Sequence, residues 1–141
     1  MIATLYVAGP MSYHPQFNLP MFFRVAGWLR KEGWRVINPA ELDGWEVVFA
    51  GLESEKGELE DLPYSVTWGT FLARDVKAVA DDADGIVLLP GWATSRGARL
   101  EALTAHLCRK TIYEWEESEP NIVRIDPDYY PAFLNKIIWQ E

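Results

Sequence analysis

The sequence predicts an α/β sandwich around a mostly parallel sheet of four or five strands. Three observations predict it. Short apolar runs of strand length alternate with longer stretches of helical periodicity. Residues 86–89, Ile-Val-Leu-Leu, form a continuous apolar run, the pattern of a strand buried on both faces. Glycine and proline follow the strand runs, as in Gly9-Pro10 and Pro90-Gly91, where the chain must turn into the next element.

Residues 4–8 form the first strand and Gly9-Pro10-Met11-Ser12 the tight loop after it. Residues 18–31 are helical, with Phe22, Val25, Ala26 and Leu29 as the buried stripe and Pro20 in the first turn, where a missing N–H costs nothing. Gly33 closes this helix, and residues 34–37 are the second strand, ended by Asn38-Pro39. The three elements make a βαβ unit with a right-handed crossover. Residues 41–68 carry five acids between Glu53 and Asp61 and no sustained periodicity. They read as a long acidic loop, with or without a short helix, and such loops often serve as lids or binding loops.

Residues 70–80 are the next helix, with Leu72, Val76 and Val79 on one face, and Asp81-Asp82-Ala83-Asp84 leads into the central strand, 86–89. Ser95 is placed as an N-cap, and residues 98–108 continue as a helix with Leu100, Leu103 and Leu107 as its packing face. Residues 111–115 are a further strand, 122–125 a short fifth, and 130–139 a C-terminal helix.

At 141 residues the chain has the length of one domain, 1–141, with a full core. No apolar run is long enough to span a membrane, and the start of the chain enters a strand pattern without basic residues, so neither a membrane span nor a signal peptide is expected. The single cysteine, Cys108, excludes an intrachain disulfide and fits a reducing cytoplasm. Two histidines and one cysteine, widely spaced, argue against a structural zinc site. The net charge of −8 argues against binding long nucleic acid, but leaves room for a small anion held by a few local donors. The seven tryptophans are assigned to core and interface packing.

Chemistry concentrates between Gly85 and Glu101, where strand, small-residue loop and helix follow one another. A helix start carries unpaired N–H groups and partial positive charge, a natural anion site. In an open α/β sheet that loop lies beyond the carboxyl ends of the strands, where ligands bind. Ser95 offers a hydroxyl and Gly97 a close backbone approach. Arg96 and Arg99 either add positive charge there or form surface salt bridges, and Gly9 and Pro10 are either plain turn residues or a second point of close approach. Glu101 has Gly97, Ala98, Thr104 and Ala105 at its helical neighbour positions, and Asp75 has Phe71, Leu72, Ala78 and Val79. None of these can form an ion pair. Each acid is either a solvated surface charge or a site residue. Glu101, just past the anion loop, is placed to act as nucleophile or base.

Taken in order, Tyr6-Val7-Ala8-Gly9-Pro10-Met11, Asn38-Pro39-Ala40-Glu41, Arg74-Asp75, and Leu89-Pro90-Gly91-Trp92 through Ser95-Arg96-Gly97-Ala98 to Glu101 resemble the nucleoside 2-deoxyribosyltransferase superfamily. The similarity covers residues 4–113 and is closest to the DUF4406 branch, leaving out the loop at 43–68 and everything after Glu116. The resemblance implies a flavodoxin-like three-layer sandwich and N-glycosidic chemistry without metal or organic cofactor. It implies Glu101 as the nucleophile on the anomeric carbon and Asp75 as the residue that hydrogen-bonds the base and helps it leave. Ser95, Arg96 and Gly97 would hold a phosphate, with Gly9 and Pro10 against the sugar. It also implies a homodimer, for which the aromatic stretch 129–133 is the candidate contact. Superfamily members acting on free nucleosides tend to carry a carboxylate six residues before the nucleophile; Ser95 stands there in this chain, which favours a nucleoside 5′-monophosphate. The alternatives are a deoxyribosyltransferase, or a protein that sequesters a nucleotide without cleaving it.

Overall fold

The computed structural model describes residues 2–63 and 67–138. Met1, residues 64–66 of the expected loop, and Trp139 at the end of the expected last helix lie outside the described residues. In chain order the elements are β1 (Thr4–Ala8), α1 (Leu19–Lys31), β2 (Arg35–Ile37), α2 (Pro39–Leu42), α3 (Trp45–Glu53), α4 (Trp68–Lys77), β3 (Gly85–Leu88), α5 (Arg96–Leu107), β4 (Thr111–Glu116), β5 (Asn121–Arg124) and α6 (Tyr130–Ile138). The five strands form one sheet in the order β2-β1-β3-β4-β5. All neighbours run parallel except the β4–β5 pair. This is the flavodoxin-like order, and the chain reverses its direction of sheet growth between β1 and β3.

The alternation of side chains along β1 and β3 divides the core. Leu5, Val7, Val87 and Leu89 pack under Phe22, Val25 and Leu29 of α1 on one face. Tyr6, Ala8, Ile86 and Leu88 pack on the other face against α5, α6 and the π-helical turn that follows α4. Both central strands are buried almost throughout, as their continuous apolar runs require.

Two expectations from the sequence are corrected. First, of the expected packing face of α5 Leu103 lies against the core but Leu100 and Leu107 do not: Leu107 is 69% exposed and Leu100 37%, while Ala98, Glu101, Ala102 and Ala105 are buried. Small side chains let the helix lie close on the sheet, so Leu100 and Leu107 turn outward. Second, the stretch 41–68, read as a long loop with or without a short helix, does hold a helix and is more helical than loop among its described residues. It holds the end of α2, the nine-residue α3 and a single 3-10 turn at Leu59–Asp61. The backbone after β1 grips this segment through Tyr13 N–H to the Gly57 carbonyl (2.8 Å) and Gln16 N–H to the Ser54 carbonyl (2.7 Å). Gly57 is needed for that grip: its φ is +69°, and a Cβ there would stand 2.2 Å from the His14 carbonyl oxygen.

The C-terminal aromatic stretch is used within the chain. Phe133 is buried against Trp92, with ring centroids 5.4 Å apart, whereas Tyr129 stays exposed. Arg99 ties α5 to this helix by donating to the Ile137 carbonyl at 3.3 Å. Among the described residues no helix is long and apolar enough to cross a membrane.

Candidate active site

A cavity of about 390 Å³ opens at the carboxyl ends of β1 and β3, at the reversal point of the sheet. Its size falls within the range of small-molecule sites. The loop after β1, the starts of α4 and α5, and one face of α3 enclose it. All seven site residues expected from the sequence line it: Gly9, Pro10, Asp75, Ser95, Arg96, Gly97 and Glu101.

Glu101 projects from the second turn of α5, and Asp75 is the one buried residue of α4. They are 6% and 9% exposed, so neither is a solvated helix acid. The Tyr6 hydroxyl, rising from β1, donates to Glu101 Oε2. Burial first, and then the negative charge of Asp75, push the Glu101 pKa up to about 8. The same burial, with Glu101 beside it, holds the Tyr6 phenol well above its ordinary value.

Asp75 does have an ion-pair partner, its own chain neighbour. Arg74 folds back so that Nε (3.0 Å) and Nη2 (2.9 Å) both reach Asp75 Oδ1. Nη1 donates to Asp43 Oδ1 at 2.6 Å, just past the end of α2, and Nη2 also donates to the Pro39 carbonyl at 3.4 Å. The helical i±3 and i±4 rule misses this contact because a bent-back arginine can reach residue i+1 once other acceptors hold its far side. Burial raises the pKa of both Asp75 and Asp43, and Arg74 opposes the rise in each. Replacing Arg74 with methionine leaves two buried acids without their cation. The expected cost is roughly 2–3 kcal/mol in urea unfolding at pH 7. The deficit should shrink at pH 4, where both acids are closer to neutral; a deficit that does not depend on pH would show that the arginine acts by packing alone.

Ser95 caps α5 by accepting from the Ala98 N–H at 3.2 Å, which leaves its own hydroxyl proton free to donate. A Cβ on Gly97 would meet nothing within 4 Å, so its backbone faces open space. Gly9 is different: a Cβ there would come 2.8 Å from Leu89 Cβ, so its smallness serves the packing of the two strand ends. Arg96 lies over the Trp68 ring, 5.4 Å from its centroid, and joins the starts of α5 and α4 at the rim.

Sequence reasoning did not place Tyr6, Arg74 or Asp43 in the site. Tyr6 carried a signal, since a phenol in a strand buried on both faces needs a hydrogen-bond partner. Asp43 carried none. Among the described residues no group of three or more His, Cys, Asp or Glu side chains is arranged to hold a metal ion.

Fold and site together define a flavodoxin-like α/β protein with a buried carboxyl pair at its sheet reversal. The chain belongs to the DUF4406 family, a domain of unknown function whose family model matches residues 3–114. The match runs from β1 into β4 and includes every residue of the carboxyl cluster. No curated protein matches the chain.

Proposed function

We propose that the protein cleaves the N-glycosidic bond of a (deoxy)nucleoside 5′-monophosphate through a covalent glycosyl–Glu101 intermediate, as a relative of the nucleoside 2-deoxyribosyltransferases. The observation that carries this reading is the pair of buried carboxyls, Glu101 and Asp75, around one cavity beside the open start of α5. The Glu101 carboxylate attacks the anomeric carbon. Asp75 hydrogen-bonds the base and gives it a proton as the C–N bond breaks. Water then attacks the glycosyl ester and releases the sugar phosphate. This is the logic of retaining glycoside cleavage, with a nucleobase as the leaving group. No metal or organic cofactor takes part, and a nucleotide substrate places the reaction in the cytoplasm. The test is incubation with mixed nucleoside 5′-monophosphates and mass spectrometry of what is retained and released. Free base and sugar phosphate are expected. Retention without release makes the protein a nucleotide-binding protein, and the absence of both retention and release removes the nucleotide reading.

The phosphate preference rests on Ser95, whose hydroxyl can donate, and on the half-buried Gly97 backbone, open on its Cβ side, in the first turn of α5. A helix start favours an anion by roughly 0.3–1 kcal/mol even when exposed. Each monophosphate should be cleaved faster than its own nucleoside at equal concentration, and Ser95→Asp should reverse that order by repelling phosphate. Faster cleavage of the nucleoside by the unaltered protein would sink the assignment.

A homodimer is the expected assembly, given the aromatic content and the pairing implied by the superfamily resemblance. Of the aromatic side chains in the expected contact stretch Tyr129 is exposed, Tyr130 half-buried and Phe133 buried, while Trp45 and Phe49 stack on the outer face of α3. Light scattering at micromolar concentration should report a dimer; a monomer there removes any pocket shared between subunits.

A further inference from the structure

The two acids and the start of α5 leave a large apolar part of the cavity without a role. On α4, Phe71 and Leu72 stand one turn before Asp75 on the same face and line the cavity beside it. Val47 of α3 and Leu59 and Leu62, on either side of the 3-10 turn, line it too. These five side chains are half-buried, so apolar surface is left facing the cavity. Leu59 and Leu62 rest on the buried pair Phe17 and Leu19. The helix α3 comes close to that pair at Gly51, where a Cβ would stand 2.9 Å from Leu19 Cδ1.

Hydrogen-bonding groups are scarce around this apolar wall. Arg74 lies over the Phe71 ring, 5.4 Å from its centroid, and its nitrogens already donate to Asp43, Asp75 and the Pro39 carbonyl. Among the described residues no asparagine or glutamine lines the cavity. Tyr13 and His14, from the loop after β1, are exposed, where water competes for their hydrogen bonds. The groups suited to a phosphate, Ser95 and the Gly97 backbone, belong to α5 and not to this wall. A base held at Asp75 therefore turns its far edge toward apolar side chains. In an unmodified base that edge carries carbonyl, amino or ring nitrogen groups, and burying them without partners is costly.

We infer that this wall receives an apolar substituent on the nucleobase, so that the preferred substrate is a nucleoside 5′-monophosphate with an alkyl or aryl group on the base edge opposite the glycosidic bond. The inference rests on the proposed N-glycosidic reaction and adds the class of base to it. Asp75 meets the ring, Phe71 and Leu72 flank the substituent where it leaves the ring, and Val47, Leu59 and Leu62 cover its outer part. Bond cleavage itself is unchanged. The selectivity comes from apolar contact, and a single methylene in a hydrophobic pocket is worth about 10–200-fold between two substrates.

The experiment measures kcat/KM of the unaltered protein on two matched pairs: the adenine nucleoside 5′-monophosphate with its N6-benzyl derivative, and the cytosine one with its N4-benzyl derivative. Each pair is used with ribose or deoxyribose, whichever is cleaved faster. In at least one pair the benzyl derivative should be cleaved at least about 10-fold more efficiently than its parent. A smaller advantage in both pairs, or a preference for the parents, overturns the inference. The ratio is then measured in Val47→Phe and Leu59→Phe, with thermal melting as the check on folding. Each added ring fills part of the space the substituent needs, so the benzyl advantage should fall toward parity. An undiminished advantage in a variant that melts like the unaltered protein puts the substituent elsewhere and overturns the inference. The comparison of pairs needs no variant, so it decides the matter even where a variant does not fold. Cleavage of the parents alone removes this inference and leaves the N-glycosidic reading standing. If none of the four nucleotides is cleaved, that reading fails and the inference with it.

Discussion

Replacing Glu101 with glutamine is expected to end base release and, at the same time, to stabilise the folded protein at alkaline pH. Glutamine keeps the shape and can still accept from the Tyr6 hydroxyl, but it cannot attack the anomeric carbon. The loss should be at least about 10³-fold in kcat, on the order of 4 kcal/mol of transition-state stabilisation. The stability effect follows from the pKa. Burial and Asp75 raise the Glu101 carboxyl from 4.5 to about 8 on folding. A group raised in this way contributes stability that is fully present below its unfolded pKa and lost as pH rises through its folded pKa. The unaltered protein therefore loses stability between pH 4.5 and about 8, and the glutamine variant is spared that loss. At pH 9 the difference should reach a few kcal/mol, because each pH unit between the unfolded and folded pKa is worth about 1.4 kcal/mol. At pH 4 the two proteins should unfold at similar urea concentrations. Equal pH slopes would place Glu101 in a solvent-like setting, and continued cleavage would remove it as nucleophile. Gaining stability by losing a buried reactive charge is the usual trade at an active site.

The second large effect belongs to Asp75. Asp75→Asn should lower kcat by about 10²–10⁴-fold while changing KM little, because negative charge builds on the base only as the bond breaks. The pH profile should change shape as well. In the unaltered protein Glu101 and Asp75 share one proton in the reactive state, so kcat/KM should be bell-shaped, with its alkaline limb set by the pair's upper pKa. The asparagine side chain holds no titrating proton, and the substitution also removes the charge that helps raise Glu101. The variant should therefore show a simple rise with pH, centred below about 8, and no alkaline fall. A raised KM with unchanged kcat would make Asp75 a recognition residue, and no change in either would leave it without a part in the reaction.

Much of the frame was legible in the sequence. The continuous apolar runs of β1 and β3 mark strands covered on both faces, and the stripe of Phe22, Val25, Ala26 and Leu29 marks the face of α1 that covers one of them. Ser95 announced the start of α5, and its side chain does cap that helix. Glu101 and Asp75 stood out as helical acids without partners three or four positions away, and both prove to be buried in one cavity.

Only the tertiary structure decided which face of α5 is inside, since periodicity identifies a leucine face but not the close approach that makes alanine and a glutamate the better fit. It alone placed a helix at residues 45–53 and tied the chain just after it, at Ser54 and Gly57, to the turn after β1 by backbone hydrogen bonds, which leave no mark on side-chain pattern. It alone joined Tyr6 to Glu101, 95 positions apart, and Arg74 to Asp43, 31 positions apart. Sequence spacing records neighbours along a helix or a strand. The cluster that carries the proposed chemistry is made by separate segments meeting at the end of a sheet, and that meeting is fixed by how helices pack across strands.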